Sequence, residues 1–342
     1  MNDLSIRRVG QAGRITLTRP AALNALSHDM CLAIEAALDA WRDDSGVALL
    51  VVDADGEKAF CAGGDLTELY ATGRRGDFAY GQRFWTDEYR LNAKIAAYPK
   101  PVVSFMQGFV MGGGVGIGCH CSHRITGEST RISLPECGIG LVPDVGSSYL
   151  LARAPGRCGD YLGTCGVRMG AADAIHAGFA DLFIPQDRWD KLISLLERSG
   201  DTAALSAEAA KPGDSRLAAR SDDIDSIFGG GKLSRILEAL QTRSDEFANE
   251  TRAAIDRASP LSVAATLEIL RRLRQAGPSM ALALELEYRF TSRSMAQGDF
   301  LEGIRAAIID KDRKPQWRHS GSDVSAEEVD LMLDSVKQPS LP

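Results

Sequence analysis

The sequence lacks both a surplus of positive charge and a long apolar run. Its 342 residues carry 39 Lys and Arg against 46 Asp and Glu, a formal net charge of −7. That balance excludes a general nucleic-acid binder, but it leaves room for a local basic pocket for a phosphorylated small molecule. No segment reaches the ~20 apolar residues that a membrane-spanning helix needs. Residues 1–10 resemble neither a signal peptide nor a transit peptide, so we expect a cytoplasmic protein.

Paired cysteines and metal-ligand spacings are also absent from the sequence. The seven cysteines are an odd number and include no CxxC pair, which favours reduced thiols over a disulfide framework. The adjacent residues Cys119, His120 and Cys121 do not match the spacing of zinc ligands, so we predict no metal site. Cys61 has no obvious histidine partner, and we interpret it as a packing residue rather than a nucleophile.

Strand and helix patterns alternate in the first half of the chain. Apolar runs over 47–52 and 102–105 predict buried strands, and residues 57–64 predict a glycine-rich loop. Helical spacing follows over 28–41, with Ser27 as its N-cap, and over 65–72 and 78–98. This alternation predicts an α/β architecture. The second half is mainly helical, with helices predicted over 187–199, 202–211, 231–257, 261–275 and 279–296 and a capping box at Ser325 and Glu328.

Two glycine turns each follow a predicted strand and lead into a helix. The first contains Gly63, Gly64 and then Asp65, a candidate helix cap, and the second spans 108–116. Such turns let a ligand approach the backbone, and the helix start presents unpaired N–H groups. Two of them facing each other would hold one developing oxyanion. The alternative is tight turns with close packing. A dinucleotide or phosphate loop is excluded because neither GxGxxG nor a following lysine occurs.

Two carboxylates follow these turns in apolar surroundings. Glu136 and Asp144 lie eight residues apart, and each comes directly after a proline. Burial raises the pKa of a carboxyl group, which suits acid–base or nucleophilic chemistry near neutral pH. Two structural alternatives stay open. Glu136 forms a salt bridge in one, and Asp144 caps a helix that starts near Val145 in the other.

The three segments, in this order, resemble the crotonase (enoyl-CoA hydratase/isomerase) superfamily. They read CAGGDL at 61–66, GFVMGGGVGIG at 108–118 and LPECGIGLVPDVG at 134–146. The resemblance covers roughly residues 5–195. It implies a superhelical core of repeated ββα units over 1–195, an acyl-CoA-binding catalytic region. A mainly helical region over 196–342 is then expected to complete the fold.

Further details resemble the 3-hydroxyisobutyryl-CoA hydrolase subgroup, thioesterases of valine breakdown. Glu136 and Asp144 stand where that subgroup has its catalytic carboxylates. Residues 88–92, EYRLN, resemble its EYxLN helix, and the segment 299–315 resembles its C-terminal signature. A hydratase's first catalytic glutamate would fall at Gly116, which has no side chain. The resemblance therefore implies thioester hydrolysis rather than hydration.

The resemblance also implies a set of binding residues. The N–H groups of Gly64 and Gly113 would form the oxyanion hole, and Glu88, Ala62 and Asp65 would bind the substrate. No cofactor is expected, because coenzyme A is part of the substrate, and no metal. Trimers are common in the superfamily, so a homo-oligomer is expected.

Two other functions stay open at this point. An enoyl-CoA isomerase needs only one carboxylate base, which Glu136 would supply. A CoA-binding member without activity is the non-enzymatic alternative, although the two retained carboxylates argue against it. The cluster Arg271, Arg272 and Arg274 is interpreted as a solvated helix face, and contact with a CoA phosphate stays open as the alternative.

Overall fold

The computed structural model describes residues 3–336, in which nine strands form two sheets. In chain order the strands are β1 (Leu4–Val9), β2 (Ala12–Leu17), β3 (Leu49–Ala54), β4 (Ala59–Cys61), β5 (Val102–Met106), β6 (Phe109–Met111), β7 (His123–Thr126), β8 (Arg131–Ser133) and β9 (Leu182–Phe183). The larger sheet has the order β1-β2-β3-β5-β7-β9 and is parallel beyond its antiparallel β1–β2 pair. The smaller sheet, β4-β6-β8, is parallel throughout.

The α-helices outnumber the strands in the described part of the chain. They are α1 (His28–Arg42), α2 (Leu66–Arg74), α3 (Phe78–Ala96), α4 (Gly113–Gly118), α5 (Ser147–Arg153), α6 (Cys158–Cys165), α7 (Ala171–His176), α8 (Trp189–Ser199), α9 (Ala203–Glu208), α10 (Arg216–Ala219), α11 (Ser221–Phe228), α12 (Leu233–Gln241), α13 (Glu246–Arg257), α14 (Pro260–Ala276), α15 (Met280–Gln297), α16 (Phe300–Ile304) and α17 (Ala326–Leu333). No helix within residues 3–336 combines the length and hydrophobicity that a membrane crossing requires.

From β3 onward, consecutive strands alternate between the two sheets. The pairs β3/β4, β5/β6 and β7/β8 each give their first strand to the larger sheet and their second to the smaller one. A helical segment follows each pair before the chain returns to the larger sheet. This repeat of two strands and a helical segment is the expected ββα core, so the predicted α/β fold class is confirmed.

Several local predictions are confirmed because short-range hydrogen bonds decide them. The Ser27 side chain accepts the N–H of Met30 at the start of α1, and Ser325 forms the predicted capping box with Glu328. Asp65 caps α2 by accepting the N–H of Thr67. Each of these caps involves partners no more than three residues apart.

Two local predictions are wrong. The segment 57–64 is not only a loop, because its apolar residues 59–61 form β4 and pair with β6. The segment 231–257 is not one helix, because α12 ends at Gln241 and α13 begins after Asp245. The Asp245 side chain accepts the N–H of Ala248, and this cap starts a new helix where the sequence pattern runs on.

The helices beyond residue 195 pack on the core of the first half. One continuous apolar cluster contains Tyr89 and Leu91 of α3 together with Leu270 of α14 and Phe290 of α15. All four side chains are fully buried. The domain boundary at residue 195 stays a prediction, but the two regions share this apolar cluster.

An ion pair also joins the two regions. The guanidinium of Arg274 on α14 makes two hydrogen bonds, of 3.1 and 2.6 Å, to the carboxylate of Asp160 on α6. The Asp160 side chain is only 2% exposed. Arg271 instead bonds to Glu268 and Gln275 on the surface. The interpretation of this cluster as a solvated face is therefore correct for Arg271 and wrong for Arg274.

We expect Arg274→Ala to lower the free energy of unfolding by about 2–3 kcal/mol, because it removes the bidentate partner of a buried carboxylate while Arg274 itself is partly exposed. Urea unfolding measures this loss. Arg271→Ala on the same helix is the matched control and should cost less than about 0.5 kcal/mol. Equal losses for the two variants would contradict the assigned role of Arg274.

Candidate functional site

The site begins where the strands of the smaller sheet end. Because β4, β6 and β8 are parallel neighbours, their carboxyl ends lie at one edge of the sheet. The first glycine turn follows β4, the glycine run of the second follows β6, and residues 134–136 follow β8. Clefts outside the carboxyl ends of parallel strands are common ligand sites. The three segments singled out in the sequence therefore meet at one place.

A cavity of about 200 Å³ opens between these segments. Six of the predicted site residues line it: Ala62, Gly64, Glu88, Gly113, Glu136 and Asp144. Its apolar wall includes Phe84, Trp85, Leu141, Phe300 and Ile308. Asp65, predicted to bind the substrate, is not among the lining residues. Its carboxylate caps α2 and lies 3.3 Å from the guanidinium of Arg19.

Two backbone N–H groups are available beside this cavity. Gly113 is the first residue of α4, so its N–H has no carbonyl partner within the helix. Gly64 forms a parallel β-bridge with Leu26. In this bridge the N–H of Leu26 donates to the carbonyl of Gly63, and the N–H of Asp65 donates to the carbonyl of Leu26. In such a bridge the N–H of Gly64 itself points away from Leu26. The predicted oxyanion donors, Gly64 and Gly113, thus both belong to the cavity wall.

Gly112 allows the two glycine turns to approach each other. Its φ is +46°, a conformation that favours glycine. A Cβ atom at this position would lie 3.3 Å from the Cα of Gly63 and 3.6 Å from Oε1 of Glu136. The absence of a side chain therefore keeps the first turn, the second turn and the Glu136 carboxyl in close contact.

Three carboxyl groups of the cavity are buried together. Glu88, Glu136 and Asp144 are each 5% exposed or less. Burial raises the pKa of Glu136 well above its usual value, and the nearby charge of Asp144 raises it further. The same two causes raise the pKa of Glu88. Oε1 of Glu88 and Oε2 of Glu136 have no hydrogen-bond partner among residues 3–336, so both carboxyl groups retain acceptor capacity for a ligand.

Asp144 is held by a tyrosine that the sequence analysis did not single out. The O–H of Tyr89 donates to Oδ2 of Asp144 at 2.8 Å and lies 3.3 Å from Oγ1 of Thr291. Burial raises the pKa of Asp144 to about 7, while this hydrogen bond acts to lower it. Tyr89 stands next to Glu88 in the EYRLN segment, which was the available signal.

The alternative that Asp144 caps the following helix is wrong. The carboxylate at the start of α5 belongs to Glu287 of α15, which accepts the N–H of Gly146 at 2.7 Å and that of Ser148 at 3.0 Å. The sequence carries no signal for this contact, because 141 residues separate Glu287 from Gly146. The Asp144 side chain is left for the cavity.

The position of Gly116 leaves no room for a second carboxylate. A Cβ atom there would lie 2.5 Å from Nδ2 of Asn92 and 2.9 Å from Cβ of Val145. Both neighbours are fully buried. The space that a glutamate side chain would need is therefore filled by α3 and by the turn after Asp144.

The cysteine and histidine side chains near the site make other contacts. Burial raises the pKa of Cys61 to about 12, and its Sγ faces the carbonyl of Gly63. His120 lies with Nε2 at 2.8 Å from the carbonyl of Val145, and burial lowers its pKa to about 4. Residues 3–336 contain no group of three or more His, Cys, Asp or Glu that would hold a metal ion.

Comparison with known proteins identifies relatives over nearly the whole chain. The family model described as enoyl-CoA hydratase/isomerase matches residues 12–333. The mitochondrial 3-hydroxyisobutyryl-CoA hydrolase of Danio rerio is 35% identical over 99% of this chain and 91% of its own, and that of Gallus gallus is 36% identical over 96% and 88%. An enoyl-CoA hydratase structure from Rhodobacter sphaeroides has a TM-score of 0.94 and 55% identity, covering 97% of both chains. A carnitinyl-CoA dehydratase structure from Mycobacterium thermoresistibile has the same TM-score at 38% identity, covering 100% of this chain and 99% of its own.

We expect Asp144→Asn to stabilise the fold at neutral and higher pH. The pKa of Asp144 rises from 3.8 to about 7 on burial, so its ionisation opposes folding and the free energy of unfolding falls as pH rises between these values. Asparagine does not ionise, so the variant does not lose stability in this way, and its amide oxygen still accepts the hydrogen bond from Tyr89. The free energy of unfolding of the variant, relative to that of the parent, should increase by about 1–3 kcal/mol between about pH 5 and about pH 8, as measured by urea unfolding. The exposed Asp55→Asn is the matched control, and an equal gain there would contradict the assignment.

Proposed function

The chain belongs to the enoyl-CoA hydratase/isomerase family, and from this premise we propose that it hydrolyses acyl-CoA thioesters, with 3-hydroxyisobutyryl-CoA as its best substrate. One observation carries the proposal: a buried carboxyl, Glu136, shares a cavity with the N–H groups of Gly64 and Gly113, while Gly116 provides no second carboxylate. The activity named for the relatives at 35–36% identity supports the choice of substrate.

The thioester carbonyl oxygen accepts hydrogen bonds from the N–H groups of Gly64 and Gly113. These donors are fixed by the backbone, so they stabilise the negative charge that develops on the oxygen without reorganising. The polarised carbonyl carbon then faces Glu136, whose carboxyl lies next to Gly112 between the two turns. Binding and activation of the thioester therefore involve the same pair of loops.

Two routes use Glu136 from this arrangement. In the first, its carboxylate attacks the carbonyl carbon, the C–S bond breaks, and an anhydride forms as the CoA thiolate leaves; water then cleaves the anhydride. In the second, Glu136 removes a proton from a water molecule that attacks the carbonyl carbon directly. Both routes end in the free acid and free CoA, with one water consumed.

Asp144 orients the hydrolytic water or the 3-hydroxyl group of the substrate, and Glu88 lines the acyl pocket. The hydrogen bond from Tyr89 fixes one oxygen of Asp144, so the other oxygen serves the ligand.

Single-turnover hydrolysis in ¹⁸O-water separates the two routes that use Glu136. The appearance of ¹⁸O in the Glu136 carboxyl group identifies the anhydride route, provided that water attacks the glutamyl carbonyl of the anhydride.

Two other reactions of the family compete with hydrolysis. The Rhodobacter sphaeroides structure at 55% identity is described as an enoyl-CoA hydratase, so hydration is one competitor. The two-glutamate route of hydration is disfavoured because Asn92 and Val145 occupy the space beside Gly116. Isomerisation of an enoyl-CoA needs only one base and is the second candidate, with Glu136 in that role.

We also propose that the enzyme serves valine breakdown in the cytoplasm. The expected homo-oligomer stays a prediction.

An acyl-CoA panel with thiol detection of free CoA tests the reaction type. We expect CoA release from 3-hydroxyisobutyryl-CoA and poor hydration of crotonyl-CoA. Glu136→Gln keeps the side-chain shape but removes its charge and basicity, and it should lower turnover by roughly 100-fold or more while substrate still binds. Cys61→Ala is the control and should retain normal turnover. Efficient hydration or isomerisation without CoA release contradicts the proposal, as does near-normal hydrolysis by folded Glu136→Gln.

A matched pair at Gly113 tests the oxyanion hole. Both Gly113→Ala and Gly113→Pro add a Cβ atom, which would meet Oε1 of Glu88 at 2.8 Å, but only proline removes the N–H donor. Proline is tolerated at the first position of a helix, so the variant should fold. We expect turnover of the proline variant to be roughly 100-fold below that of the alanine variant. Equal turnover of the two folded variants would reject Gly113 as a donor.

A further inference from the structure

A further buried carboxyl lies outside the cavity, next to the turn that follows Asp144. Glu287 on α15 is 0% exposed and is absent from the residues that line the cavity. One of its oxygens accepts the N–H of Gly146, and the other accepts both the N–H and the hydroxyl of Ser148. All three donors follow Asp144 within four residues. The chemistry proposed above leaves Glu287 without a direct role.

The turn between Asp144 and these donors has a rare backbone conformation. Val145 has a φ of +55°, which a β-branched residue seldom adopts. Such a conformation persists only where neighbouring contacts hold it. His120 bonds to the carbonyl of Val145 on one side, and Glu287 bonds to the N–H of Gly146 on the other.

Helix α15 also supports the Asp144 side chain itself. Thr291, one turn after Glu287, lies 3.3 Å from the O–H of Tyr89, which donates to Asp144. The same helix therefore contacts the backbone after Asp144 through Glu287, and through Thr291 it contacts Tyr89, the hydrogen-bond partner of the Asp144 carboxylate. A displacement at either point would move Asp144 relative to the carbonyl carbon of a bound thioester.

We propose that Glu287 is a positioning residue, which holds the strained turn at Val145 and thereby keeps the Asp144 carboxylate directed into the cavity. This inference rests on the proposed role of Asp144. A carboxylate suits the task because each of its two oxygens accepts a backbone N–H. A glutamine at this position has one acceptor oxygen and would direct its own N–H₂ at the second donor.

The test is the steady-state kinetics of Glu287→Gln with 3-hydroxyisobutyryl-CoA. Loss of one backbone contact shifts Asp144, so we expect kcat to fall roughly 10- to 100-fold. KM should change less than about twofold, because Gly64 and Gly113 bind the carbonyl independently. Glu285→Gln is the matched control: it stands two residues earlier on α15, pairs with Arg289 and should leave kcat unchanged.

A double-mutant cycle with Asp144→Asn separates positioning from general destabilisation. If Glu287 acts through Asp144, adding Glu287→Gln to Asp144→Asn lowers kcat by less than about twofold. Two outcomes overturn the positioning role. In one, Glu287→Gln lowers kcat by the same factor in the parent enzyme and in Asp144→Asn. In the other, Glu287→Gln has a normal kcat while Asp144→Asn is impaired. Normal kcat for Asp144→Asn alone overturns the proposed function of Asp144 instead. Should Glu287→Gln not fold, Ser148→Ala removes only the hydroxyl contact and should show a smaller fall in kcat with the same non-additivity.

Discussion

The parallel pairing of three short strands sets the geometry of the whole site. β4, β6 and β8 span only three residues each, yet their common direction brings three distant loops to one edge of the sheet. Two of those loops supply backbone N–H groups, and the third supplies Glu136. Any shift of register between these strands would separate the donors from the carboxyl group, because a one-residue slip reverses which way each side chain points. The larger sheet and the helices hold this small sheet in place.

Burial of like-charged groups gives the site its chemical character. Glu88, Glu136 and Asp144 line the same cavity and are each at most 5% exposed, and burial is the first cause of the raised pKa of each. A fold selected for stability alone would pair such groups with cations or replace them by apolar residues. The cost of keeping them is offset by the apolar packing of the core, to which α3, α14 and α15 contribute. Glu287 fits the same pattern, since it satisfies the backbone of the turn that carries Asp144 instead of pairing with a cation.

Local sequence patterns were informative wherever local interactions decide the structure. Ser27, Asp65 and the pair Ser325–Glu328 cap helices through hydrogen bonds to residues at most three positions away, so their roles were readable in advance. The same reasoning failed at 57–64 and 231–257. The first contains a strand that exists only because β6 pairs with it, and the second is divided by a cap whose signal is weaker than the helical periodicity around it.

The α/β class, the two glycine turns and the pair of carboxylates at 136 and 144 could be predicted from the chain, because they depend on residue types and short spacings. Their surroundings could not, because they come from contacts between distant segments. The bond from Tyr89 to Asp144 spans 55 residues, and that from Gly146 to Glu287 spans 141. Asn92 and Val145 close the space at Gly116 from two different segments. Contacts of this kind leave no periodicity or spacing in the chain, since they arise when separate elements pack together and each buried polar group must find a partner.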